Sequence, residues 1–182
     1  MIAADRVAAI LLAAGGSARF GPADKLHAEL DGRPLVTHAA ALIAGFGFGG
    51  LVAVCARTTV TLLPGFDIVI NDASERGQSH SIRLGVAHAL EQDVDAVLVM
   101  LGDMPFVPAS HLRALLASDG AIIASSLDGQ AMPPALFSRD AARALLALEG
   151  DRGARGLLRG AVLVPGDAAM LADIDRPSDL RR

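Results

Sequence analysis

The chain predicts an open α/β fold, one domain across residues 1–182 with a mostly parallel sheet covered by helices on both faces. Three observations lead there. Apolar runs of strand length alternate with helix-like patterns along the sequence. The run Ala96–Leu101 is apolar at every position, as suits a strand buried on both faces at the centre of a parallel sheet. A glycine-rich stretch follows the first apolar run, and sheets of this kind take ligands at the carboxyl ends of their strands.

Val7–Ala13 reads as the first strand, Pro34–Phe46 as a helix and Leu51–Cys55 as a strand. Phe66–Ile70 is a strand, Ser79–Glu91 a helix and Ala96–Leu101 the central strand. Pro108–Ala117 is a helix with proline in its first turn, where the missing N–H costs nothing. Ala121–Ser125 is strand-like, and Ser138 can cap a helix running to Leu148. Arg152–Arg159 reads as helical, Val162–Val164 and Met170–Ile174 as strand-like, and Pro177–Arg182 as a last helical turn. Such alternation requires right-handed crossovers.

With 182 residues the chain can bury a sizeable core, and without Trp or Tyr that core must be aliphatic with a few Phe. A net charge of −4 and the lack of aromatic stacking platforms argue against a nucleic-acid partner. The single cysteine, Cys55, lies in an apolar strand and reads as a core residue in a reducing compartment. Residues 39–56 carry no charge, which approaches a membrane span. Gly45, Gly47, Gly49 and Gly50 break that stretch, so a helix, a turn and a strand explain it better. The start loosely imitates a secretory leader, but Asp5 and Arg6 and a short apolar core speak against one. The expectation is a cytoplasmic protein without membrane contact.

The first loop, "LLAAGGSARFGPADKL" from Leu11 to Leu26, holds the only lysine; the other fifteen basic residues are arginine. Scarce lysine is also what a GC-rich genome produces, so its surroundings decide. A Walker loop fails because Pro22 stands where its lysine belongs, and no register from Gly15 to Gly21 gives a dinucleotide fingerprint. What remains is an open glycine-framed loop whose Arg19 and Lys25 can grip a triphosphate from two sides.

This loop resembles the signature of the nucleotidyltransferases that activate a phosphate with a nucleoside triphosphate, and most of all the molybdenum cofactor cytidylyltransferase branch. The resemblance implies a Rossmann-like three-layer sandwich of the nucleotide-diphospho-sugar transferase type. It places Ala13, Ala14, Gly15 and Gly16 around the triphosphate, with Arg19 and Lys25 on its phosphates.

Further motifs follow in the family's order. "GQSHSIRLG" supplies Gly77, Ser79 and Ser81 at the mouth of a helix, where the resemblance puts the nucleoside and where Ser79 can also cap. "GDMP" places Asp103 after the central strand, where burying a carboxylate is costly and where it can hold Mg²⁺; the resemblance makes it the magnesium ligand. The tail "LADIDRPSDL" offers a second ligand. Strand alternation puts Asp173 and Asp175 on one face; Asp175, beside the turn at Pro177, is the expected choice, and Asp179 caps or faces solvent. By resemblance Pro134 and Phe137 lie by the acceptor pocket, and Arg155 or Arg152 of "GDRGAR" holds an acceptor phosphate. Pro133 departs from the resemblance, since it stands where many cytidylyltransferase relatives have His or Asn.

The implied activity is Mg²⁺-dependent nucleotidyl transfer, with Lys25, Arg19 and Asp103 as catalytic residues. By resemblance CTP is expected over GTP, because Leu-Ala-Ala-Gly, rather than Leu-Ala-Gly-Gly, is similar to the cytidine-using branch. The implied acceptor is the phosphate of a molybdopterin-type cofactor, with a molybdenum hydroxylase or its chaperone as protein partner. A sugar or polyol phosphate is the alternative acceptor, and a non-catalytic cofactor-binding chaperone of the same fold the alternative class.

Overall fold

The computed structural model describes residues 1–15, 20, 24–147, 156 and 158–181. The strands are β1 (Val7–Ala13), β2 (Glu29–Leu30), β3 (Arg33–Pro34), β4 (Gly50–Cys55), β5 (Asp67–Ile70), β6 (Ala96–Leu101), β7 (Ile122–Leu127), β8 (Gln130–Ser138) and β9 (Val162–Pro165). The α-helices are α1 (Leu35–Ala44), α2 (Gln78–Ala89), α3 (Ala109–Ala117) and α4 (Arg139–Leu145). Seven strands form one sheet in the order β5-β4-β1-β6-β8-β7-β9, and β2 and β3 make a small hairpin. β8 alone runs against its neighbours, so the sheet is mixed and mostly parallel.

β1 occupies the middle because every residue from Val7 to Ala13 can be buried. Its odd-numbered side chains join one core with Val36, Ile43, Leu112 and Leu115 of α1 and α3. Its even-numbered ones join a second core with Ile82, Val86, Ala142 and Leu145 of α2 and α4. The strand period of two thus builds three layers from one apolar run, and each large side chain so buried is worth about 1.5–3 kcal/mol.

After β1 the chain crosses to β4 on one side, and β6 pairs on the other side. The carboxyl ends of β1 and β6 therefore face a topological switch point. Gly102 closes that point: its N–H donates to Leu12 O at 2.9 Å, and a Cβ there would stand 3.2 Å from that same oxygen.

Most expected elements form within a few residues of their predicted bounds. Two differ. Residues 170–174 are a turn followed by irregular backbone rather than a strand. Residues 130–138 are a strand, although they carry Pro133 and Pro134, joined here by a cis peptide bond. The prolines are accommodated where pairing lapses. The β7–β8 register shifts between Ala124 and Ser125, and β6 pairs only with Ala135–Ser138. Most of the expected helix at Arg152–Arg159 lies outside the described residues. The uncharged stretch at 39–56 is the end of α1, a glycine turn and β4. Among the described residues no helix is long and apolar enough to cross a membrane.

Candidate active site

Three segments converge at the switch point. The first carries Lys25 in a single 3₁₀ turn, Lys25–His27. Asp24 caps this turn by accepting the Leu26 N–H at 3.0 Å, and Leu26 is buried in the core. Cap and anchor together aim the Lys25 ammonium inward, where the residue is only 7% exposed.

The second segment, after β6, carries Asp103. Lys25 Nζ donates to Asp103 Oδ2 at 2.6 Å and to Asp175 Oδ1 at 3.2 Å. The third segment brings Asp175: the Ile174 N–H donates to Asp103 O at 2.9 Å, and the fully buried Ile174 packs with Leu30 and Leu35. Asp179 Oδ2 then accepts the Arg176 N–H at 2.9 Å and the Asp175 N–H at 3.2 Å, which makes it a cap. Because residues 172–175 are not a strand, alternation does not apply to them. The structure turns Asp175 onto Lys25 and leaves Asp173 exposed.

Burial works against the Lys25 ammonium, but Asp103 and Asp175 outweigh it and hold its pKa above the ordinary 10.5. Burial pushes the Asp103 carboxyl above its ordinary 3.8, with Lys25 opposing and the charge of Asp173 adding to the rise. Among the described residues Asp103 Oδ1 is buried without a hydrogen-bond partner. An orphaned carboxylate oxygen beside a second carboxylate is a donor set suited to a hard divalent cation. Among the described residues no three His, Cys, Asp or Glu side chains gather around one point. Two carboxylates leave the remaining coordination positions to phosphate oxygens and water, as Mg²⁺ commonly has them.

Beside this pair lies a cavity of about 260 Å³, lined by Leu12, Ala14, Gly15, Lys25, Leu26, Ser74, Gly77, Gln78, Ser81, Leu101 and Asp103. A Cβ at Gly15 would meet no described residue within 4 Å, so none of them crowds the backbone just after β1. Gly77 takes φ +84° and precedes the first turn of α2. Gly77, not Ser79, holds the cap position, and Ser79 is buried inside that first turn.

Of the expected nucleotide residues, Ala14, Gly15, Lys25, Gly77, Ser81 and Asp103 line this one cavity. Ala13 ends β1 as a buried strand residue. Gly16, Arg19 and Arg155 lie outside the described residues. Phe137 does not fit the acceptor role expected of it. Opposite Val97 at the amino end of β6 and 1% exposed, it packs in the core at the end of the sheet away from Asp103. Pro134 lies nearer the correct end but is buried, and its carbonyl accepts the Ser125 hydroxyl at 2.8 Å.

Residues 9–168 match the family described as the MobA-like NTP transferase domain. The chain belongs to the MobA-like NTP transferase family. It is 38% identical over 118 residues to the purine catabolism protein PucB of Bacillus subtilis, a match covering 61% of this chain and 57% of that protein. The chain thus spans little more than half of PucB. It is 29% identical over 191 residues to a molybdenum cofactor guanylyltransferase of Cereibacter sphaeroides, covering 97% of this chain and 95% of the relative. The crystal structure of Rv0371c from Mycobacterium tuberculosis has the same fold, with a TM-score of 0.83, 24% identity and 97% of each chain covered. A complex of that protein with manganese gives a TM-score of 0.79 at 22% identity, again over 97% of each chain.

Sequence reasoning missed several residues of this MobA-like NTP transferase. Ser74 lines the cavity, and Asn71, 3% exposed, bonds to Ser81. Gln78, within the motif quoted above, lines it too, and Ser74 lies only three residues before Gly77, where a search of that glycine's neighbours finds it. Asn71 carries no local signal, because its bond to Ser81 spans ten residues of sequence.

Proposed function

We propose that this nucleotidyltransferase moves CMP from CTP to the phosphate of a molybdopterin-type cofactor and releases pyrophosphate. One observation carries the reading: the buried Lys25 ammonium bridges Asp103 and Asp175 at the wall of a glycine-backed cavity on the β1/β6 switch point. An acceptor phosphate oxygen attacks the α-phosphorus in line. One P–O bond forms, the bond to the β-phosphate breaks, and its electron pair departs with pyrophosphate.

Such a reaction needs positioning and charge neutralisation rather than a covalent nucleophile. Backbone at Ala14 and Gly15 would come close to the phosphates, because no side chain intervenes at Gly15. Lys25, kept protonated by its carboxylates, stabilises the charge that grows on the leaving group. Arg19 would add a second cation to the triphosphate. Asp103 and Asp175 would hold a divalent ion, magnesium in the preferred reading. Bound there, the ion would neutralise triphosphate charge. The manganese complex of Rv0371c, a protein of the same fold, supports divalent metal use.

The choice of CTP over GTP rests on Ala14. A methyl there, in place of a second glycine, narrows a cavity of about 260 Å³ and favours the smaller pyrimidine. The full-length likeness to a molybdenum cofactor guanylyltransferase supports the acceptor class. A molybdenum hydroxylase or its chaperone would then be the protein that receives the product.

Transfer to a sugar or polyol phosphate is the second reading. It is favoured by Pro133 and by the burial of Phe137, which remove two expected features of the pterin side. Pyrophosphate release should be measured with Mg²⁺ and each of CTP, GTP, ATP and UTP, with and without molybdenum-loaded pterin phosphate. Release with CTP only when pterin is present is the expected result. Release with sugar phosphates alone would transfer the assignment to the second reading. Silence from folded protein that still binds the pterin cofactor would reassign it as a non-catalytic carrier.

A further inference from the structure

Asn71 follows the last residue of β5, and its side-chain amide is held at both ends. Oδ1 accepts the backbone N–H of Ala73 at 2.9 Å, and Nδ2 donates to Ser81 Oγ at 2.9 Å. Chemistry fixes this orientation. A backbone N–H can only donate, so the amide atom facing Ala73 is the oxygen and the one facing Ser81 is the NH₂. Ser81 Oγ is therefore the acceptor in this pair, and its own hydrogen points elsewhere.

Ser81 lies in the first turns of α2 and lines the nucleotide cavity. A serine within a helix commonly back-bonds to the carbonyl four residues earlier. Here that carbonyl is Gly77 O, and no such bond forms: among the described residues the Ser81 hydroxyl bonds only to Asn71. The hydroxyl hydrogen is left to the cavity.

We infer that Asn71 is a positioning residue that makes Ser81 a hydrogen-bond donor to the bound nucleoside, selecting a base with a carbonyl oxygen or ring nitrogen at that point. The inference rests on the nucleotide-binding reading above. It also distinguishes two tasks of one side chain. The oxygen of Asn71 pins the loop that carries Ser74 and Gly77, and its nitrogen sets the polarity of Ser81. Asn71→Asp separates them, because a carboxylate still accepts from Ala73 but takes the Ser81 hydrogen instead of donating to its oxygen.

Titration calorimetry of CTP with Mg²⁺ and no acceptor, on wild type, Asn71→Asp, Ser81→Ala and the double variant, tests this. Thermal midpoints are recorded alongside. Loss of one such hydrogen bond should weaken CTP about tenfold in each single variant. The double variant should be no weaker than the worse single one, because both changes remove the same bond. A wild-type Kd for Asn71→Asp would overturn the inference, since a loop-pinning role alone survives that change. Additive losses in the double variant would overturn it too. If Asn71→Asp does not fold, Ser81→Ala reads the donor directly, and an unchanged Kd there is equally fatal. Failure of wild type to bind any of CTP, GTP, ATP and UTP would instead remove the nucleotide reading itself, and this inference with it.

Discussion

Lys25 is the residue on which the proposed chemistry turns, and its surroundings explain why an arginine does not stand there. The ammonium is a compact charge held 2.6 Å from Asp103 Oδ2 and 3.2 Å from Asp175 Oδ1. A planar guanidinium has five donors in a fixed fork and cannot take that place without displacing a carboxylate. Lys25→Arg should lower pyrophosphate release about 100-fold, the cost of misplacing a charged group by roughly 1 Å. The loss should fall on kcat, and near-wild-type turnover would show that the ammonium takes no part. At this scale the sequence was legible where the chemistry sits in contiguous motifs. "GDMP" and the turn around Lys25 place their side chains through local geometry, whereas the direct Lys25–Asp103 bond is seen only in the fold. Asp175 could be chosen over Asp173 only by its neighbour Pro177, because the irregular backbone that separates the two has no period.

Elements hold these residues in place through packing that has little slack. Gly85 of α2 lies directly on the sheet, where a Cβ would come within 2.7 Å of Ile10 Cγ2 and 2.9 Å of Val54 Cγ2. Both contacts are branched methyls on buried strands, so the helix must move. Gly85→Ala should cost about 1–3 kcal/mol in chemical denaturation, despite alanine's better helix propensity. A variant as stable as wild type would mean that α2 rides higher than described. On the opposite side, His111 of α3 bonds through Nε2 to Ser125 Oγ at 2.8 Å, and Ser125 donates onward to Pro134 O at 2.8 Å. Burial lowers the His111 pKa below its ordinary 6.5. The unfolded chain therefore takes up a proton at 6.5 while the folded one still resists it. Stability should fall as pH drops from about 6.5 toward the depressed value, and His111→Gln should flatten that part of the profile in denaturant titrations. The strand that this chain of bonds reaches, β8, was the element least visible in advance. Two adjacent prolines argue against any strand interior, and only the lapse in pairing at Ser125 accommodates them. The Asp128-Gly129 turn, with φ +50° and +77°, was the available hint of a hairpin.

For the whole molecule the proposed ligand should act as a stabiliser, because a site assembled from three distant segments exists only in the folded chain. At a hundredfold excess over Kd, CTP with Mg²⁺ should add about 2.7 kcal/mol. For a domain of this size that is about 5–10 °C in thermal midpoint. Asp103→Asn should abolish most of the shift in a thermal melt, and an undiminished shift would place the nucleotide elsewhere. The fold class was legible because it rests on alternation over the full length, a signal that survives local misreadings. The central position of β1 also has a temporal side. Of the strands described it is made before the others, apolar at every position, yet its partner β6 begins about 90 residues later. At about 5–20 residues per second, β1 waits roughly 5–20 s on the ribosome with one edge unpaired. During that interval β4 can cover only one side of it, and the exposed edge is a template for pairing between nascent chains. The strand that organises the finished site is thus the segment of the growing chain most in need of shelter.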